Sequence, residues 1–302
     1  MDLKKLLLKY NVEKCEPLNK GWSRDKKFVL TSTTGKKYLL RISDSALYEK
    51  KNAQFLMLKK LNELDINCSK PIEFGTFLNG EVYTLLSYLD GVSAEDGVTV
   101  LDDKSAYFLG IESGKVLKKL HSVPVAAPQI SWEDRYYEKM QRKFNALERC
   151  EIQLPQRQII VDFARENMHL VKGRECTFCH SDYHVGNMII SDGKIGVIDF
   201  DKNSLSDPYD EFKPFCWNVY ASEYFETGLI NGYFNNQIPN DFFKILALYA
   251  AESLISHLPW AMTFGKEEVK TALKVTKSTL LWYDNFTREI PTWYKGVNLF
   301  KE

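Results

Sequence analysis

His180-Ser181-Asp182-Tyr183-His184-Val185-Gly186-Asn187-Met188-Ile189-Ile190, then Gly196-Val197-Ile198-Asp199-Phe200-Asp201 after a short turn, is the most informative stretch of this chain. Residues 187–191 and 194–200 are short apolar runs on either side of Asp192-Gly193, the signature of a β-hairpin. Such a hairpin predicts that Asp182 and Asn187 at its entry come near Asp199 at its exit. Upstream, residues 15–18, 27–31 and 38–42 read as strands, the last two joined by the turn Thr33-Thr34-Gly35-Lys36. Residues 45–64 carry leucines at helical spacing among lysines, and two further strands, 72–77 and 82–88, flank Asn79-Gly80. Downstream the pattern is helical: 104–121, 132–149, 156–169, 239–257 and 266–286. The expectation is an α+β chain of two lobes. The first, 1–89, is small and β-rich with one long helix; the second, 90–302, is larger and mostly helical.

Composition narrows the functional classes. Lysine plus arginine and aspartate plus glutamate number 40 each, so nothing global attracts nucleic acid or an anionic membrane. The opening residues read as a short amphipathic helix and not as a signal peptide, and the apolar run 245–251 is far too short to span a bilayer. A cytoplasmic protein is expected, as a monomer or dimer. Six scattered cysteines then read as reduced packing residues. Cys176-Thr177-Phe178-Cys179-His180 does spell the C-x-x-C-H of haem attachment, but that chemistry requires export.

Phosphoryl transfer needs a carboxylate at the attacking hydroxyl and oxygen ligands for the Mg²⁺ that bridges the phosphates. H-x-D-x-x-x-x-N supplies the carboxylate and one ligand, and an aspartate closing the next hairpin supplies the other. Asp182, Asn187 and Asp199 stand at that spacing. Ser181 replaces the arginine of protein kinases, no A-P-E follows, and the span from Asp199 to Asp207 leaves no room for an activation segment.

On these residues the chain resembles the aminoglycoside phosphotransferase family, within the protein-kinase-like superfamily. The resemblance covers nearly the whole chain. Leu18-Asn19-Lys20-Gly21-Trp22-Ser23 stands where that family has its nucleotide-covering loop, and Tyr38-Leu39-Leu40-Arg41 at its third strand. Leu117-Lys118-Lys119-Leu120-His121 looks like the helix before its catalytic half, and Asp207-Pro208-Tyr209-Asp210-Glu211 like its D-P-x-x-[DE]. The resemblance implies a bilobal kinase-like fold and transfer from ATP or GTP to a small-molecule hydroxyl. Asp182 would be the catalytic base, His180 a brace of its loop, and Asn187 and Asp199 the Mg²⁺ ligands. Gly21, Trp22, Ser23, Arg41, Ser87 and Leu89 would meet the nucleotide, the last two through backbone groups at the purine.

Two departures matter. The covering loop has a single glycine, Gly21, and Gln54 stands where the glutamate that pairs with the third-strand cation is expected, with Glu49 the nearest acid. If neither serves, Arg41 is loosely held, and a nucleotide-binding pseudokinase with an interaction role becomes the alternative. For the acceptor, residues 199–226 hold seven acids and two bases, a bias suited to a polycation such as an aminoglycoside, with Asp201, Asp210 and Glu211 as candidate contacts. The plainer reading gives those acids to metal binding, loop bracing and solvent, and leaves a sugar, amino alcohol or nucleoside as acceptor. Trp217, Tyr220, Tyr224, Phe225, Trp260, Trp282, Tyr283 and Trp293 could floor a sugar site or be core.

Overall fold

The computed structural model describes residues 2–19 and 24–300. It divides into two compact units. The first is Met1–Val92 with Ile189–Asp192 and Gly196–Asp201; the second is Ser93–Met188, Gly193–Ile195 and Lys202–Glu302. The hairpin read from the sequence is therefore shared out between them.

In the first unit, α1 (Leu3–Lys9) leads into β1 (Val12–Pro17), β2 (Lys26–Ser32), β3 (Lys37–Ser43), α2 (Tyr48–Asn62), β4 (Pro71–Thr76) and β5 (Val82–Ser87). The strands form one antiparallel sheet in the order β1-β2-β3-β5-β4. Leu30, Tyr38, Leu40, Ile42, Tyr83 and Leu85 fill its core against Leu6 of α1. Because side chains alternate along β3, Arg41 and Ser43 leave from the opposite face to Leu40 and Ile42. Asp25 lies on that face with Lys51 of α2, since it takes hydrogen bonds from Ser43, Arg41 and Lys51. Asp25 sits just beyond the Lys26↔Ile42 pair, so the β2–β3 register delivers it opposite Ser43.

The chain continues through β6 (Val92–Ser93), α3 (Ala94–Gly97), α4 (Asp103–His121), α5 (Trp132–Glu148), α6 (Arg157–Asn167), β7 (Thr177–Cys179), β8 (Met188–Ser191), β9 (Lys194–Val197), β10 (Ser204–Ser206), α7 (Phe215–Ala221), α8 (Glu223–Phe234), α9 (Phe242–Met262) and α10 (Lys266–Trp282). In the second unit α9 is the central helix, buried on nearly every side, with α5, α6 and α10 packed around it. It passes through Pro259 and ends at Met262, beyond the expected stop at 257.

α4 and α8 approach so closely that their glycines interlock. A Cβ on Gly110 or Gly114 would fall 2.1 Å from the carbonyl oxygen of Phe225 or Leu229, and one on Gly228 or Gly232 2.1 Å from that of Tyr107 or Ile111. α8 is not apparent in the sequence: its buried positions mix Glu226, Thr227 and Asn231 with apolar residues, and its two glycines read as breakers. No helix among the described residues is long and apolar enough to cross a membrane.

Candidate active site

In the second unit, the loop that carries Asp182 runs between β7 and the start of β8. β7 pairs antiparallel with β10, Cys179 opposite Ser204. Ser181 then takes a left-handed φ of 68°, and a web of hydrogen bonds fixes the turn that follows. The Asn187 side-chain amide donates to both the backbone oxygen and Oδ2 of Asp182, at 2.9 and 3.0 Å. The backbone N–H of Asn187 donates to the carbonyl of His184 at 2.8 Å, and that of Gly186 to His184 Nδ1 at 3.1 Å. Below the loop, Val185 N–H donates to Asn218 Oδ1, and Asn218 donates to the buried Glu226. Tyr183 donates to the carbonyl of Ser113 on α4, and His180 lies fully buried against the Tyr183 ring.

Lys202 Nζ donates to Asp182 Oδ2 at 3.0 Å, and His184 Nε2 is 3.7 Å from Oδ1. Burial pushes the Asp182 carboxyl up, but the charges of His184 and Lys202 and the Asn187 amide outweigh it. The group is held below the usual carboxylate range and is ionised at neutral pH.

The first unit carries the other cluster. Arg41 engages three carboxylates: Nε and Nη2 donate to Asp25 Oδ2 at 3.1 and 2.8 Å, Nη1 to Asp199 Oδ1 at 3.3 Å, and Nη2 also to Asp201. Lys51 Nζ reaches Asp25 at 2.7 Å and Asp201 at 3.3 Å. The side chains of Arg41, Lys51 and Asp25 are 9%, 8% and 4% exposed, so this is a buried charge network. Burial pushes Asp25 up, yet Lys51, Arg41 and the Ser43 hydroxyl together hold it down at about 2. Asp199 itself has a left-handed φ of 63°, and its side chain stays 37% exposed.

A model of the phosphotransferase enzyme family (APH) matches residues 14–239, three quarters of the chain. The chain belongs to that family. It is a phosphotransferase with a hydroxyl acceptor, on the family's two-lobed, kinase-like α+β fold. No curated protein sequence matches it. Similar solved structures include aminoglycoside 2'-phosphotransferase-IIIa as its GDP complex, 14% identical over 92% of this chain and 95% of that one, with a TM-score of 0.71. A thermostable mutant of aminoglycoside phosphotransferase APH(4)-Ia is 17% identical over 92% and 97%, with a TM-score of 0.66. The streptomycin–ATP ternary complex of APH(2'')-IIa is 14% identical over 91% and 94%, with a TM-score of 0.65. At these identities the likeness is one of fold.

Several expected site residues of this phosphotransferase sit differently from the sequence reading. The loose Arg41 does not arise: its acid comes from Asp25, while α2 contributes a second cation, Lys51. Gln54 instead donates to the backbone oxygen of Asp201 at 2.8 Å. The Ser87 N–H is committed to the carbonyl of Lys70, and Leu89 follows half-buried. Gly21, Trp22 and Ser23 lie outside the described residues.

The acidic stretch is not a surface cradle. Asp207, Asp210, Glu211 and Glu226 are 0, 5, 1 and 1% exposed. Asp207 takes hydrogen bonds from Arg174 and Tyr249, Asp210 from Lys213, and Glu211 faces His121 at 3.6 Å. Asp201 belongs to the Arg41 network, so none of the three candidate acceptor contacts offers a freely exposed carboxylate. Nor is the C-x-x-C-H segment a surface motif: Cys179 and His180 are fully buried, and Cys176 takes a hydrogen bond from Arg135.

Sequence reasoning missed Asp25, Lys51 and Lys202. The β2–β3 register would have found Asp25. A lysine on the apolar side of 45–64 would have marked Lys51.

Proposed function

We propose that this phosphotransferase moves the γ-phosphate of ATP or GTP, with Mg²⁺, to a hydroxyl of a small molecule. The observation that carries the reading is Asp182, a carboxylate kept ionised and held in place by Asn187 and Lys202. Asp182 orients the attacking hydroxyl. A carboxylate of depressed pKa is a weak base, so it takes the proton late, which suits a loose phosphoryl transition state. Lys202 sits against the same carboxylate, a cation that can follow the charge as it moves.

Asn187 and Asp199 are assigned as metal ligands. Both offer the hard oxygens that Mg²⁺ prefers, since the Asn187 NH₂ is spent on Asp182 and Arg41 donates to Oδ1 of Asp199. When bound, the ion would offset negative charge on the phosphates. Similar solved structures are complexes with GDP, ADP and ATP, which supports a nucleotide donor. Arg41 positions Asp199, and Gly21, Trp22 and Ser23 are assigned to the nucleotide on the family resemblance. A cytoplasmic protein acting as a monomer or dimer fits this chemistry.

An aminoglycoside is the first acceptor to test, since hygromycin B and streptomycin appear in the complexes of similar enzymes. A weakly charged hydroxyl compound is the second reading, and one feature favours it. From His184, beside Asp182, an aromatic series runs through Trp217 and His257 to Trp260 and Phe264, with centroid steps of 6.4, 6.3, 5.8 and 4.5 Å. Trp260 and Phe264 are 41% and 46% exposed, so the series ends in rings on which a sugar or nucleoside face could stack.

A coupled ADP- and GDP-release assay against a panel of aminoglycosides, sugars, amino alcohols and nucleosides tests both readings. Asp182→Ala and Asp199→Ala should each lower transfer about 100-fold or more while circular dichroism stays unchanged. Wild-type turnover by either variant would remove that residue from its role.

A further inference from the structure

Three segments far apart in the sequence meet inside the second unit. His121 is the last residue of α4, Cys179 the last of β7, and Glu211 lies in the short helical turn Pro208–Phe212. Among the described residues they are the one group of three such side chains whose ligand atoms converge. An imidazole nitrogen, the thiol sulfur and a carboxylate oxygen all lie within 4.8 Å of one another. The Glu211 and His121 side chains are 0% and 3% exposed, and Cys179 is fully buried.

These groups do not satisfy one another. Both carboxylate oxygens of Glu211 and Nε2 of His121 are buried with no hydrogen bond among the described residues. The 3.6 Å between Glu211 Oε2 and His121 Nε2 is too long for one. Lys213 feels the charge of Glu211, but its ammonium donates to Asp210 at 2.8 Å. The Cys179 sulfur makes only weak contacts, at 3.6 Å to the Thr177 hydroxyl and the Ser206 carbonyl and 3.8 Å to the Asp207 carbonyl. A carboxylate taken out of water without a donor is costly, so something should face it.

The spacing suits a metal ion. Two ligands at the ~2.1 Å of a zinc–nitrogen or zinc–oxygen bond, set at the tetrahedral angle, stand about 3.4 Å apart. A thiolate and a carboxylate together carry the charge that one divalent cation offsets. Nδ1 of His121 is 2.8 Å from the Tyr233 hydroxyl, the second-nitrogen hydrogen bond that fixes a metal-ligating imidazole. Nitrogen, sulfur and oxygen in one set suit Zn²⁺, whereas Mg²⁺ prefers oxygen alone.

We propose that His121, Cys179 and Glu211 bind a Zn²⁺ ion, separate from the Mg²⁺ of phosphoryl transfer, with water completing the tetrahedron. The ion ties the end of α4 and the 208–212 turn to β7. Its cysteine stands three residues before Asp182, so it braces the strand from which that loop departs. The site needs neither nucleotide nor acceptor, and it stands or falls apart from the proposed function.

The test is made on full-length chain produced with Zn²⁺ or Co²⁺ supplied and then exchanged into buffer with excess Mg²⁺. Elemental analysis should find about one zinc per chain, and the cobalt form should show a thiolate-to-cobalt charge-transfer band in the near ultraviolet. Cys179→Ser should abolish the band. Glu211→Gln should cut retained zinc about tenfold or more, whereas Asp199→Ala, in the proposed Mg²⁺ set, should keep it. Tyr233→Phe touches no ligand but removes the hydroxyl at Nδ1. It should weaken zinc about tenfold in competition with a chelator, and it carries the test if the ligand variants fail to fold. Wild-type protein holding less than about a tenth of a zinc per chain overturns the inference and leaves the phosphotransferase reading standing. A cobalt band that survives Cys179→Ser, or zinc affinity unmoved by Tyr233→Phe, overturns it as well.

Discussion

Asp25 shows at residue scale how acid enters the stability of this enzyme. Its carboxyl sits near 2 in the folded chain against 3.8 ordinarily, a difference equivalent to about 2 kcal/mol. Because the folded value is the lower one, that stability is fully present above about pH 4 and is lost as pH falls through 2. Urea unfolding of the wild type between pH 6 and pH 2 should show the loss, and Asp25→Asn should shrink the pH dependence by about 2 kcal/mol. The same substitution leaves Arg41 and Lys51 short of a carboxylate, so at pH 6 it should destabilise by about 3 kcal/mol. Asp182 was legible because Asn187 lies five residues on, at a spacing that loop geometry imposes, whereas its other partner Lys202, twenty residues on, was not. Asp25 was not, because its partners are 16 and 26 residues away and only the sheet and α2 bring them to it.

Among the elements, the α4–α8 pair is where sequence propensity misleads most. Alanine normally favours a helix over glycine by about 1 kcal/mol, so Gly228→Ala would seem stabilising. Here the new Cβ would lie 2.1 Å from the Tyr107 carbonyl oxygen, backbone that cannot turn aside. Overpacking of that kind costs about 3 kcal/mol, and the sign reverses. Thermal unfolding of Gly228→Ala and Gly114→Ala should show lower melting temperatures for both; an unchanged or raised melting temperature would mean the helices can separate without penalty. The strands of the first unit and the amphipathic helices were readable from alternation and helical periodicity. α8 was hidden because a mostly buried helix whose polar residues Glu226, Thr227 and Asn231 also point inward has no clean polar face to mark its period.

For the whole molecule, ligand linkage offers a test that needs no acceptor. Mg·AMP-PNP or Mg·GMP-PNP at about one hundred times its dissociation constant should stabilise the folded chain by about 2.7 kcal/mol, read as a rise in melting temperature. Removing Mg²⁺ with chelator, or replacing Asp199 with alanine, should abolish most of that rise. A rise indifferent to both would put the metal elsewhere.

What the sequence by itself determined is local: the hairpin around Asp192-Gly193, the loop spacing of His180, Asp182 and Asn187, and the order of strands before helices. These follow from turn chemistry and periodicity, which act over a few residues. The acid that holds Arg41, the inward turn of Asp210 and Glu211, and the glycine contact between α4 and α8 were decided only by the tertiary structure. Each depends on which groups are removed from water together, and burial is a property of the packed chain that no short window of residues carries.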